Sequence, residues 1–165
     1  MKLFYLCTLA VCLNIQSAEN SKESTTFSRF DALRRGQVEI VRKTFNKDNI
    51  HETDPKTREF PIVIAASYLN TSRKITHTII HPDGLPWDCW EEFIPYNRIN
   101  ALAYLISLNP TKEECDLAAK KLKKIVDNLP TASDYGSELF PADLIDKYSF
   151  NDAKRLHKEL IKLAS

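Results

Sequence analysis

The sequence contains only three glycines among its 165 residues, which is few for a chain built from β-hairpins. Tight turns between strands need residues with positive φ, and glycine adopts such angles at the lowest cost. The scarcity of glycine therefore favours a helical fold over an all-β fold.

Neither sign of charge is in clear excess. The 23 basic residues nearly balance the 22 acidic ones, and the formal net charge is +1. Nucleic-acid-binding domains carry a basic surface that neutralises phosphates, so we expect neither a nucleic-acid partner nor attachment to an anionic membrane. The basic run formed by Lys120, Lys121, Lys123 and Lys124 is interpreted as the solvated face of a helix.

Motifs that carry common catalytic chemistry are also missing. The sequence has no glycine-rich phosphate loop and no Gly-x-Ser-x-Gly elbow. The pairs Glu91-Glu92 and Glu113-Glu114 are interpreted as solvated charge and as charge at a helix N-terminus. We therefore expect no enzymatic activity and no cofactor.

His77 and His81 stand four residues apart, which places two imidazoles on one face if this segment is helical. Two histidines at that spacing can bind zinc, and Cys89 follows them in the sequence. No Glu-x-x-His pattern accompanies the pair. The simpler interpretation is two surface or turn histidines, so the sequence predicts no metal site.

The N-terminus has the organisation of a secretory signal peptide. Lys2 precedes an apolar run over residues 3–15, which small and polar residues follow. This run is shorter than the roughly 20 residues that a membrane-spanning helix needs. We predict a signal peptide over residues 1–18, a polar linker over 19–26, no membrane span, and a periplasmic or secreted product.

Leu9-Ala10-Val11-Cys12 offers an alternative for the same segment. It resembles a bacterial lipoprotein cleavage box, although Val11 stands where a smaller residue is usual. Lipid attachment at Cys12 and a retained N-terminal anchor therefore stay open as alternatives to a soluble product.

The sequence has four cysteines, of which Cys7 and Cys12 lie in the predicted signal peptide. Cys89 and Cys115 remain, and an even pair in an exported chain can be oxidised. A disulfide between them and two buried free thiols are both compatible with the sequence, because sequence alone does not provide the Cβ geometry.

Apolar residues recur at helical spacing in several short segments. The first pair of helices is predicted over residues 30–35 and 37–45, joined by a tight turn at Gly36. The next pair is predicted to open at Pro61 and to end with a helix over Ser72–Ile80. Further helices are predicted over residues 100–106, from a capping box at Thr111-Lys112-Glu113-Glu114, from Pro141, and over residues 151–163.

Three segments each contain part of one recurring order, in which a finger precedes a short helix, a tight turn and a second helix. They are Phe30 to Arg42, Asp54 with Phe60 to Ala66, and Asp134-Tyr135-Gly136 with Pro141 to Leu144. In this order and in its alanine, glycine and Glu-x-Val elements, the chain resembles ankyrin repeats over residues 27–165, as about four units. The resemblance implies an all-α solenoid of helical hairpins that binds proteins through its finger tips and concave face.

Residues 85–96 form an aromatic insertion between the second and third units of this expected solenoid. Tryptophan and tyrosine are enriched at binding hot spots, so an exposed insertion would be a recognition site. The alternative is that these rings are buried and fill the gap left by a regular finger. We predict the following contact residues: Asp54, Arg58, Trp87, Trp90, Tyr96 and Tyr135.

Together these features predict an exported protein-binding module, monomeric when free, that engages a single protein partner. A periplasmic inhibitor or immunity protein is the specific form that we expect, and a secreted effector that binds a host protein is the alternative. A thiol- or metal-dependent hydrolase is the alternative from a different class of protein.

Overall fold

A computed structural model describes residues 28–80, 82–129 and 147–165. Described residues form helices and one strand pair: α1 (Arg29–Arg35), α2 (Val38–Thr44), α3 (Pro61–Ser67), β1 (Ser72–Ile80), β2 (Pro86–Phe93), α4 (Tyr96–Ser107), α5 (Lys112–Val126) and α6 (Lys147–Ala164). The structure is mostly helical, which confirms the helical character expected from the low glycine content. The predicted signal peptide, the linker and the finger around Tyr135 lie outside the described residues.

Helices α1 and α2 form the predicted helical hairpin. The Ser28 hydroxyl accepts a hydrogen bond from the N–H of Phe30 at 3.3 Å and caps the start of α1. Gly36 ends α1 in the left-handed conformation, with φ 67° and ψ 33°. This conformation lets the N–H of Gln37 donate to the carbonyl of Ala32 at 2.9 Å, so the chain reverses without leaving the last turn of α1 unsatisfied.

The inner face of this hairpin is aromatic. Phe30 and Phe45 are buried, and their rings meet edge to face with centroids 5.6 Å apart. The Arg29 guanidinium lies 5.2 Å from both ring centroids, so it covers the pair on the solvent side as a cation–π contact. Val41 is fully buried beside them, as its position on the predicted apolar stripe requires.

Helices α3 to α6 complete the core. Helix α3 opens with Pro61 and is buried almost along its length, which two adjacent alanines allow by letting neighbouring helices approach closely. Helix α5 packs against α3 and α6, with its predicted lysine run on the exposed face. Its buried apolar side chains are Cys115, Ala118, Ala119 and Leu122, and those of α6 are Phe150, Ala153, Leu156 and Leu160.

The prediction of a helix over Ser72–Ile80 is wrong, because this segment is the strand β1 and pairs antiparallel with β2. The segment Ile75-Thr76-His77-Thr78-Ile79-Ile80 is rich in β-branched residues, which favour strands over helices. A turn containing Gly84, at φ 84°, joins the strands. Helix α3 is consequently not followed by a second helix, and the fold departs here from the expected all-α arrangement.

Candidate binding surface: an exposed hairpin

The β1–β2 hairpin (residues 72–93) occupies the region where the sequence predicted an aromatic insertion. Its register pairs Ile75 with Trp90 and Ile79 with Trp87, with an irregularity between Ile75 and His77. At the turn, the N–H of Leu85 donates to the Asp83 carboxylate at 3.0 Å. Such an Asx contact stabilises the reversal that the strand pair requires.

The hairpin exposes large aliphatic side chains. Ile75 is 50% exposed and Ile79 is 45% exposed, while Ile80 and Leu85, on either side of the turn, reach 70% and 60%. Ile79, Ile80 and Leu85 therefore form an apolar hairpin tip. Ile79 and Ile80 are consecutive in β1 and therefore face opposite sides of the strand, so both sides of the tip carry exposed aliphatic side chains.

The base of the hairpin is anchored in the helical core. Ile94, directly after β2, is fully buried, and its N–H donates to the hydroxyl of the buried Ser149 on α6 at 3.0 Å. Closer to the strands, Lys74 lies 2.7 Å from the Glu91 carboxylate and 5.3 Å from the centre of the Phe93 ring. Strand β2 also contacts the described helix α6.

The predicted contact residues Trp87, Trp90 and Tyr96 fall in or beside this hairpin. The backbones of Trp87 and Trp90 belong to β2, and their side chains are outside the part of the structure that is described. Tyr96 is the first residue of α4 and is 47% exposed. Tyr135 lies in residues 130–146, which are not described. The contact role of these four residues stays a prediction.

Asp54 does not present its carboxylate to solvent. The residue is 1% exposed, and its carboxylate pairs with the Arg34 guanidinium. The same carboxylate accepts hydrogen bonds from the N–H of Lys56 at 3.1 Å and from the Thr57 hydroxyl at 3.0 Å. The chain itself therefore satisfies this carboxylate, which gives Asp54 a structural role, and its contact role stays a prediction.

These contacts also set the ionisation of Asp54. Burial alone would raise the pKa of its carboxyl group. The Lys56 N–H and the Arg34 guanidinium, together with the Thr57 hydroxyl, outweigh that effect and hold the pKa below its ordinary value of 3.8. Asp54 is consequently ionised at neutral pH and acts as one half of a structural ion pair.

Arg58, in contrast, is exposed and adopts a positive φ of 57°. Its N–H donates to the carbonyl of Asp54 at 2.7 Å, and the N–H of Asp54 donates to the carbonyl of Glu59 at 2.9 Å. These two bonds close the loop on itself. The Arg58 side chain stays available as a predicted contact on a rigid turn.

A second buried carboxylate belongs to the predicted capping box. Glu114 Oε2 accepts from the N–H of Thr111 at 2.7 Å, and the Thr111 hydroxyl accepts from the N–H of Glu114 at 3.3 Å. His51 Nδ1 lies 2.9 Å from Glu114 Oε1, so the loop before α3 is tied to the first turn of α5. The sequence indicates the cap but carries no signal for His51, which is 63 positions away.

Cys115 is a buried free thiol, so the disulfide with Cys89, one of the two alternatives compatible with the sequence, is not formed in this structure. Helix α5 turns Cys115 into the core, where burial and, to a smaller degree, the charge of Glu114 raise the pKa of the thiol. A catalytic cysteine needs the opposite shift, towards the thiolate. The environment of Cys115 therefore does not support its use as a nucleophile.

Neither a metal-binding cluster nor a membrane-spanning helix occurs among the described residues. These contain no cluster of three or more His, Cys, Asp or Glu side chains suited to a metal ion. The side chain of His77 and the whole of His81 are outside the described part. Within the same ranges, no helix combines the length and apolar character needed to cross a bilayer.

Comparisons with family models, with curated proteins and with solved structures found no match to this chain.

Proposed function

We propose that this chain is an exported protein-binding module and that the hairpin provides its main contact surface. The observation that carries the proposal is the exposure of Ile79, Ile80 and Leu85 at the tip of a hairpin whose base is anchored in the core. Complete burial of a fully exposed aliphatic side chain contributes roughly 1.5–3 kcal/mol, and these partly exposed side chains forgo a share of that stabilisation in water. A partner that covers them recovers this free energy on binding.

A protein is the partner that fits this surface best. An antiparallel hairpin offers aliphatic side chains together with backbone groups at its strand edges, and proteins recognise such edges by adding a strand or by packing an apolar face. The predicted contacts Trp87, Trp90 and Tyr96 lie in or next to the hairpin. Tryptophan and tyrosine are among the residues most enriched at binding hot spots.

The proposal retains the ankyrin resemblance for one helical pair, α1 and α2. The left-handed turn at Gly36 supports it there. Export is proposed from the predicted signal peptide over residues 1–18, and a periplasmic inhibitory or immunity role follows from export and small size.

Photo-crosslinking tests the contact surface directly. A photoreactive residue is placed at Ile80 on the hairpin tip or, as a matched control, at Ile161 on α6, which is 50% exposed. The exported chain is then irradiated in the medium or periplasm of its own cells. We expect one discrete crosslinked protein from position 80 and none from position 161.

The affinity for the captured protein is then measured with purified variants. Ile80→Lys combined with Leu85→Lys is expected to weaken binding at least about thirtyfold, the loss typical of a hot spot, while Ile161→Lys binds normally. The melting temperature should be unchanged in both variants, because the substituted side chains are exposed. Equal affinity of the two variants would contradict a role for the hairpin tip.

A further inference from the structure

A modification motif lies immediately before the hairpin. Asn70-Thr71-Ser72 has the Asn-x-Ser/Thr form of an N-glycosylation acceptor, which requires a hydroxyl two positions after the asparagine and excludes proline between them. The chain contains one other Asn-x-Ser/Thr segment, Asn109-Pro110-Thr111, and proline blocks it. Asn70 is therefore the single acceptor in the sequence.

The structure places this motif where a glycan can be accommodated. Asn70 and Thr71 are exposed and Ser72 is half-buried at the first position of β1. The Arg98 guanidinium donates to Asn70 Oδ1, and this contact does not involve Nδ2, the atom that would carry the sugar. Because a glycosylated amide keeps its oxygen as an acceptor, the contact with Arg98 is compatible with the modification.

We infer that Asn70 is a site of N-linked glycosylation when the chain enters a compartment containing an oligosaccharyltransferase; this step rests on the export predicted from residues 1–18. The donor is an oligosaccharide linked to a lipid pyrophosphate. A bond forms between Asn70 Nδ2 and the anomeric carbon of the sugar as the bond from that carbon to the pyrophosphate oxygen breaks. One Nδ2 proton leaves, and the lipid pyrophosphate departs with the bonding electrons.

The glycan would stand at the opposite end of β1 from the apolar tip. Eight residue steps separate Ser72 from Ile80, which at about 3.3 Å per residue is roughly 26 Å. A glycan at Asn70 would therefore cover the base of the hairpin and leave Ile80 and Leu85 accessible. The modification and the proposed contact surface do not compete for the same area.

The test is translation of the full chain with microsomes, read by gel mobility, by intact mass and by removal with a peptide N-glycosidase. We expect one glycan on the unmodified chain, which the glycosidase removes with conversion of Asn70 to aspartate. Asn70→Gln and Ser72→Ala should each abolish it. Thr71→Ala and Ser72→Thr should each retain it, because both preserve the motif.

Pro110→Ala supplies an internal reporter of entry into the microsome, because it unblocks the acceptor at Asn109. Two glycans on this variant and one on the unmodified chain support the inference. One glycan on Pro110→Ala and none on the unmodified chain would show that the chain enters but that Asn70 is not used, which overturns it. No glycan on either chain overturns the export on which the inference rests. None of these results depends on the hairpin binding a protein.

Discussion

Asp54 and Glu114 show at the residue scale how this small protein fastens its loop before α3. Both carboxylates are almost completely buried, and burial of a charge is tolerated only when partners satisfy it. Asp54 pairs with Arg34 of α1, while Glu114 of α5 lies against His51. The loop that the ankyrin resemblance interprets as a recognition finger is therefore fixed to α5 at His51 and to α1 at Asp54.

Asp54→Asn should destabilise the fold in a pH-dependent way. Loss of the charge-assisted bonds to Arg34 and Lys56 is expected to lower the free energy of unfolding by about 1.5–3 kcal/mol at pH 7. The folded-state pKa of Asp54 lies below 3.8, so its stabilisation is present above the unfolded-state pKa. It is lost as the pH falls through the folded-state value. Urea titrations at pH 7 and pH 3 would measure this.

Asp116→Asn is the matched control for this measurement, because Asp116 forms an exposed pair with Lys120 on one turn of α5. Exposed pairs of this kind contribute only about 0.3–0.5 kcal/mol. An equal loss of stability in the two variants, or a loss in Asp54→Asn that does not shrink at low pH, would show that the buried ion pair is unimportant.

At the scale of elements, two turns require a residue with positive φ. Two glycines in the described residues have positive φ, Gly36 between α1 and α2 and Gly84 in the hairpin turn. Their surroundings differ. A Cβ at Gly36 would lie 2.7 Å from Cγ of Arg98, whereas a Cβ at Gly84 meets nothing within 4 Å. Arg98 has little freedom to move aside, because its guanidinium donates to the Tyr68 carbonyl at 2.5 Å.

Gly36→Ala should therefore cost more stability than Gly84→Ala. Both variants place an L-residue at positive φ, which costs about 1–2 kcal/mol. At Gly36 the displacement of Arg98 adds to this, and we expect an additional loss of about 1 kcal/mol from its broken hydrogen bond. Thermal unfolding of the two variants side by side would measure the difference. If Gly84→Ala is the less stable of the two, the close approach of Arg98 does not constrain the α1–α2 turn.

At the scale of the whole molecule, the described residues divide into a helical body with one continuous core and a hairpin joined to it at its base. Ile94 and Ser149 make this joint. Buried apolar side chains stabilise the helical body, whereas the hairpin carries exposed aliphatic side chains. A rigid base with an accessible tip suits recognition, because little conformational freedom is lost at the anchored end when a partner binds.

Hydrogen exchange should reveal this division. Amides protected by few buried contacts open locally, without global unfolding. We expect peptides covering β1 and the turn at Gly84 to exchange faster than peptides covering α4 and α5 at the same pH. Hydrogen exchange measured by mass spectrometry checks this. The buried part of α4 that follows Ile99 serves as the slowly exchanging reference. Equal protection of β1 and α4 would mean that the hairpin is packed as firmly as the core.

Local patterns were sufficient to predict several elements. The helical turn at Gly36, the helix opening at Pro61, the cap at Thr111 and the lysine-rich face of α5 are each determined by residues close in sequence. Helix ends depend on hydrogen bonds within a few positions, so a reader of the sequence sees all of the groups involved. The buried position of Val41 follows in the same way from its place on an apolar stripe.

The tertiary structure decided the rest. The segment Ser72–Ile80 is a strand because β2 supplies a partner for its backbone, and a β-rich segment with helical spacing of apolar residues is ambiguous until that partner is known. Asp54 is a structural residue because Arg34 reaches it from α1, and His51 meets Glu114 across 63 positions. The sequence by itself determined local features of several helix ends: the turn at Gly36, the start of α3 at Pro61 and the cap at Thr111. Which strands pair and which charges are buried depended on contacts between distant segments, because only folding brings those groups together.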